Sequence, residues 1–141
     1  MTTTYVETTI PSFYHTARSD TRSLARQRWT REWWQEIAPG FTLYSSDAVI
    51  TELQRGTHED LRKQRIELIS DLILLELSDD VVEIATMYVD RLVMPRDGAG
   101  DALHLALASY YSMIQVRCLS IIGIIKRNRN DQRSIVFLIF P

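Results

Sequence analysis

The apolar positions of this chain change period along its length, and each change marks an element. TTTYVETTI (2–10) is β-branched and aromatic, with Tyr5, Val6 and Ile10 apolar, and predicts a buried first strand with Glu7 at its end and Pro11 stopping it. Polar residues 12–19 lead to DTRSLARQRWTREWWQEI, whose composition predicts a helix with Leu24, Trp33, Trp34 and Ile37 facing inward until Pro39 and Gly40 end it. FTLYSS (41–46) predicts a second strand, and Ser46 or Asp47 caps the helix DAVITELQRG, which carries Glu52. HEDLRKQRIELIS (58–70) returns to helical spacing, and LILLEL (72–77) is a continuous apolar run of strand length. Ser78 to Asp80 cap a helix over VVEIATMYVDRLVM. Beyond Pro95 and the Gly98 to Gly100 break, DALHLALASYYSM predicts a helix with Leu103, Ala106, Leu107 and Tyr110 on one face and Asp101 in its first turn.

Strands alternating with helices predict a parallel sheet covered on both faces, with ligands collecting at the carboxyl ends of the strands. In such a fold Glu7, Glu52 and Asp101 can converge on one rim of the sheet. Carboxylates brought together repel, and each raises the pKa of the others. A divalent cation removes that conflict. Hard oxygen donors suit Mg²⁺ or Mn²⁺, and such an ion can orient or ionise a water for in-line attack on a phosphodiester. Each acid also has a plainer reading: Glu7 as a surface charge at a strand end, Glu52 as a solvated helix residue, Asp101 as a partner of its helix N-terminus. His104 reads as a core or helix-face histidine before it reads as a ligand, and Asp97 as a loop residue before a fourth acid.

Composition narrows the class. With 141 residues, 45% hydrophobic and 24% charged, the chain is one domain able to bury a real core, so disordered and fibrous classes are excluded. One cysteine, Cys118, rules out an intramolecular disulfide, and the N-terminus carries neither a basic leader nor a long apolar core, so the chain is expected to be soluble and cytoplasmic, with no membrane partner. The net charge of −2 conceals two unlike parts. Residues 1–114 hold 11 basic and 17 acidic residues, a net of −6, whereas 115–141 hold five basic residues and one acid, a net of +4. Arg18, Arg22 and Arg26, followed by Arg28 and Arg31, form a candidate stripe for an RNA backbone, with a solvated arginine face as the plainer reading. Trp29, Trp33 and Trp34 serve either as stacking platforms or as packing residues.

YVETTIPSFYHT (5–16), SSDAVITELQRG (45–56) and GDALHLALASYYSM (100–113) resemble the three ordered acidic motifs of PIN domains, and more narrowly the VapC-like toxins of toxin–antitoxin pairs in the branch that opens with Glu. The resemblance spans about residues 3–113. It implies an α/β fold, a three-layer α/β/α domain with a central parallel sheet, comprising 1–141 as one domain with an atypical segment at 113–141. It implies a Mg²⁺- or Mn²⁺-dependent endoribonuclease acting on tRNA, rRNA or mRNA and inhibited by a cognate antitoxin, and it admits a homodimer. Carried over position by position, Glu7, Glu52 and Asp101 are the metal-binding and catalytic acids, with Thr9 and Ser12 beside the first of them.

The resemblance stops near Met113. The Glu-opening branch usually continues into a strand and a further polar motif of Leu-Thr-Trp-Asn-x-x-His-Leu type, whereas SMIQVRCLSIIGIIKRNRND follows here, with no carboxylate between Asp101 and Asp131. A tail read from a shifted frame and ordinary divergence both account for this. The alternative function is a catalytically impaired PIN-like module that binds antitoxin or RNA without turnover.

Overall fold

A computed structural model describes residues 2–91 and 100–111 with their side chains, and the backbone of Ala99, 115–117 and 136–138. Strand β1 (Thr2–Val6) lies at the centre of a parallel sheet of order β3-β2-β1-β4-β5, flanked by β2 (Phe41–Ser46) and β4 (Gln115–Arg117), with β3 (Ile73–Leu75) and β5 (Val136–Leu138) at the edges. Among the described residues six α-helices connect the strands: α1 (Thr9–Tyr14), α2 (Thr21–Glu32), α3 (Asp47–Gln54), α4 (Glu59–Ile69), α5 (Asp79–Asp90) and α6 (Ala99–Tyr110). The architecture is the expected three-layer α/β/α one. Helix α5 packs along α6, α1 on α2 and α4, and α4 on α3.

Because β1 is central and parallel, it is covered on both faces, and Thr4, Tyr5 and Val6 are all buried. The chain winds outward from β1 through β2 to β3, then resumes on the other side of β1 with β4. The crevice at that reversal, at the carboxyl ends of β1 and β4, is where this class of sheet binds ligands. Glu7 follows the last residue of β1 directly.

The first strand is shorter than its composition predicts. It ends at Val6, and Thr9 to Tyr14, expected to be strand end and polar linker, form α1 with Ile10 and Pro11 buried. Pro11 does not end an element here; it lies in the first turn of a helix, where a missing N–H costs nothing because that N–H has no intrahelical acceptor. Helix α2 also departs from expectation. Leu24 and Ile37 are about half exposed, and the residues turned inward are Ser23 and Thr30. Small polar side chains let α2 approach α1 closely: Thr30 returns its hydroxyl to the carbonyl of Arg26 at 2.7 Å, and the Arg26 guanidinium lies over the Phe13 ring. A π-helical turn over Trp33–Ile37 then changes the helical phase, which buries Trp33 and turns Ile37 out.

The LILLEL run forms only three residues of strand, at the sheet edge, with Ile73 52% exposed and Leu74 and Leu77 exposed beside it. Conversely α6 is buried on nearly every side from Ala102 to Ala108, and Tyr110, expected inward, is exposed at its end, with its hydroxyl donating to Asp80 at 3.2 Å. Among the described residues, no helix is long and apolar enough to cross a membrane. Cys118 and Asp97 lie outside the described residues.

Two apolar residues of similar chemistry should therefore differ sharply. Ile69→Ala, at a fully buried position on α4, is expected to lower stability by about 2–5 kcal/mol, and Ile73→Ala on the edge strand by less than about 1 kcal/mol, measured by urea unfolding.

Candidate active site

At their carboxyl ends the two central strands are polar although buried. Ser45 donates its hydroxyl to the carbonyl of Val6 at 3.1 Å, which satisfies the last acceptor of β1 where the ladder with β2 runs out. Ser46 caps α3 by accepting from the Val49 N–H, and its hydroxyl lies 2.8 Å from the Tyr5 hydroxyl. Tyr5 in turn lies 2.8 Å from Nδ1 of His104 on α6. Nε2 of His104 reaches Oε2 of Glu52 on α3 at 3.3 Å, and Thr8 donates its hydroxyl to the same carboxylate. A hydrogen-bonded chain thus joins β2, β1, α6 and α3, across sequence separations of 41, 99 and 52 residues.

Glu7 and Glu52 are not solvated surface charges, and Asp101 lies in the first turn of α6 as its plainer reading has it. Glu7 is 2% exposed and accepts from the Thr9 hydroxyl. Glu52 keeps 30% of its side-chain surface and sits between Thr8, His104 and α6. Its environment is close-fitting: a Cβ built on Gly100 would lie 2.9 Å from Oε1 of Glu52, so the space that any larger residue would fill is occupied by a carboxylate oxygen. Asp101, the next residue, is half-buried.

Electrostatics separate the acids. For Glu52, burial pushes the pKa up, but the hydrogen bonds from His104 and Thr8 and the charges of His104 and Arg55 outweigh it, and the carboxyl is held below its ordinary value. For Asp101, burial pushes the pKa up, the His104 charge opposes this and the Glu52 charge adds to it, so the carboxyl lies above its ordinary value. Asp101 therefore senses Glu52 as a like charge. The Tyr5 phenol is pushed far up by burial, against the lowering effect of its bond to Ser46, and both Glu7 and Glu52 push it further. Buried Tyr5 thus feels Glu7 and Glu52, and buried His104 faces Glu52 and Asp101.

The donor set is carboxylate oxygen, the ligand chemistry of a hard divalent ion, and the Glu52–Asp101 repulsion is what such an ion relieves. Among the described residues no three His, Cys, Asp or Glu side chains are gathered closely enough to form a ready cage. Mg²⁺ does not need one, since it keeps several waters and is commonly held through one or two carboxylates. The residues fit the ion through the Glu52 and Asp101 pair, with Glu7 at the end of β1.

Four groups at this site were hidden in the sequence. Tyr5 reads as an apolar strand residue, Ser46 as a helix cap, His104 as a core histidine and Thr8 as part of a β-branched run. The chain they form depends on contacts between distant segments, and no local spacing encodes it. Thr9, flagged beside the first motif, does contact Glu7, whereas Ser12 offers its carbonyl to Arg65 at 3.3 Å.

The arginines reorganise as well. Arg18 precedes α2, so the stripe of three on one helical face does not form. Arg31 is anchored to the Tyr14 carbonyl at 3.0 Å and lies over the Tyr14 ring, while Arg65 holds the carbonyls of His15 at 2.9 Å and Ser12. Arg65 is near enough to Arg18 that, after burial, the Arg18 charge depresses its pKa, and among the described residues no ion pair neutralises Arg18, Arg31 or Arg65. Trp33 is buried and Trp34 packs edge-on against Trp33 and Tyr14, so both are packing residues.

Two outcomes follow from this geometry. The raised carboxyl of Asp101 means that its ionisation opposes folding. The penalty grows as pH rises from the ordinary carboxylate range and is complete above the raised value, so Asp101→Asn should unfold at a higher temperature than the parent at pH 7 in chelator, with the difference vanishing at acid pH where both are neutral. Gly100→Ala should lower the melting temperature: Ala favours a helix by up to about 1 kcal/mol, but displacing Glu52 leaves the buried His104 ring without its carboxylate partner at a cost of about 1–3 kcal/mol. Its crystal structure should show the partly exposed Glu52 carboxylate displaced and its 3.3 Å contact with His104 lost.

The chain matches no protein-family model and no curated protein sequence. Among solved structures it resembles the crystal structure of FitAcB from Neisseria gonorrhoeae, with a TM-score of 0.52 and 14% sequence identity over 83% of this chain and 87% of that one. Identity this low speaks for the fold alone, and the fold is a three-layer α/β/α PIN-like one.

Proposed function

We infer that this protein is a metal-dependent ribonuclease of the toxin–antitoxin kind, with Glu7, Glu52 and Asp101 around its metal. The observation that supports the reading is the pairing of Glu52 on α3 with Asp101 on α6 beside one buried hydrogen-bonded chain, with Glu7 following β1 near Tyr5 of the same chain, at the strand ends where this class of sheet binds ligands. When bound, Mg²⁺ or Mn²⁺ supplies a polarised water and charge stabilisation for phosphodiester hydrolysis. Glu52, held ionised, and Asp101 provide the donors on the helix side, and Glu7 provides one at the end of β1. Thr9 and Thr8 hold the Glu7 and Glu52 carboxylates in orientation.

RNA rather than a small molecule suits the surrounding charge. Arg18, Arg31 and Arg65 gather about the carboxyl end of α1, a helix of six residues and so about 9 Å from the acids at its other end. Phosphates flanking a bound scissile bond would meet unneutralised guanidinium groups there. The toxin-like partnership with a small antitoxin rests on the three motifs and the PIN-like fold. A second reading, a module that binds RNA or antitoxin without turnover, is favoured by the lack of a ready three-acid cage among the described residues.

RNA cleavage by the purified chain should require Mg²⁺ or Mn²⁺ and stop in chelator. Glu7→Gln and Asp101→Asn should each lower it by about 100-fold or more, the upper end of what is lost when even a supporting group of a metal site is removed. Cleavage undiminished in both variants overturns the site. Complex formation with a neighbouring antitoxin-like protein, without cleavage or growth arrest, would establish the second reading.

A further inference from the structure

We propose that Tyr5 and His104 are positioning residues: a buried relay that fixes the Glu52 carboxylate with Oε2 engaged and Oε1 held against Gly100, next to Asp101. The inference rests on reading Glu52 as a metal-holding acid.

The direction of every hydrogen bond in the relay follows from its ends. Ionised Glu52 is acceptor-only, so Nε2 of His104 must carry the hydrogen in their 3.3 Å contact. In a neutral ring Nδ1 is then the acceptor, and Tyr5 donates to it at 2.8 Å. The Tyr5 oxygen then accepts from Ser46, whose own oxygen accepts the Val49 N–H. Every member is satisfied. A proton on Nδ1 instead would turn the Tyr5 hydroxyl back on Ser46, and Ser46 has no further acceptor among the described residues, leaving a buried donor unpaired at a cost of about 1–3 kcal/mol. The arrangement therefore selects a single tautomer, and Tyr5 selects it.

Location makes the relay a positioning device as well as a packing feature. His104 is 1% exposed and its ring centroid lies 5.8 Å from that of Tyr5, so the imidazole cannot swing. It meets Oε2 of Glu52 one helical turn beyond Gly100, which lies against Oε1, and Thr8 adds a second donor to Oε2. With Oε2 doubly engaged, rotation of the carboxylate is blocked and Oε1 is left for a ligand. An acid on a flexible helix side chain would otherwise lose rotamer freedom on binding a cation; here that freedom is lost on folding.

The test uses the full chain with ¹⁵N-labelled histidine. Long-range ¹H–¹⁵N spectra should show His104 in the Nε2–H tautomer, and Tyr5→Phe, which keeps the ring packing and removes only the hydroxyl, should yield a mixture. In crystal structures, the Glu52 carboxylate should swing away in His104→Leu and stay in place in His104→Gln, whose amide supplies a donor near the Nε2 position. Mn²⁺ titration should show affinity weakened by about 10- to 100-fold in His104→Leu and restored in His104→Gln. An Nδ1–H tautomer in the parent chain overturns the relay, as does a folded His104→Leu whose Glu52 has not moved. If the parent binds no Mn²⁺ and cuts no RNA, the functional reading fails, while the tautomer and the Glu52 position still decide the relay.

Discussion

A buried chain of hydrogen bonds from Ser46 through Tyr5 and His104 to Glu52 ties together segments up to 99 residues apart, and the geometry of the acidic site depends on it. Polar groups this deep are tolerable only when each finds a partner, because an unpaired one costs as much as a substantial fraction of a domain's net stability. Satisfying them all at once leaves few arrangements of β1, β2, α3 and α6. The interior is thus specified by the same bonds that orient the Glu52 carboxylate.

The acids are held in unequal states by that frame. Donors surround Glu52 and keep it ionised, whereas Asp101 is half-buried beside the Glu52 charge and resists ionisation. The unfavourable electrostatics at Asp101 are offset by apolar packing along the rest of α6, where Ala102 and Leu105 to Ala108 are buried. An acidic cluster with a built-in charge conflict is destabilising by itself, and α6 carries Asp101 because its other residues bind the helix firmly into the domain.

Much of the fold was legible in the chain. The change from period-two to helical spacing located β1, β2, α3, α4, α5 and α6, and Ser46 and Ser78 were readable as caps because a hydroxyl before a helical run accepts an orphan N–H. Other elements were not legible, for identifiable reasons. Pro11 looked like a terminator because its ring is incompatible with most helical positions, yet the first turn admits it. Leu24 looked buried because it is apolar, yet α2 docks through Ser23 and Thr30. The LILLEL run has the length of a six-residue strand, yet only its middle pairs, on one side, with β2.

The candidate acids show the same division. Local patterning and resemblance to PIN domains were enough to name Glu7, Glu52 and Asp101, since residue type, order and position relative to strands and helices are properties of the chain. Their burial, their unequal ionisation and their link through Tyr5 and His104 belong to the tertiary structure. Hydrogen bonds and desolvation depend on distance and on what lies around a group, and both arise only when residues remote in sequence are brought together.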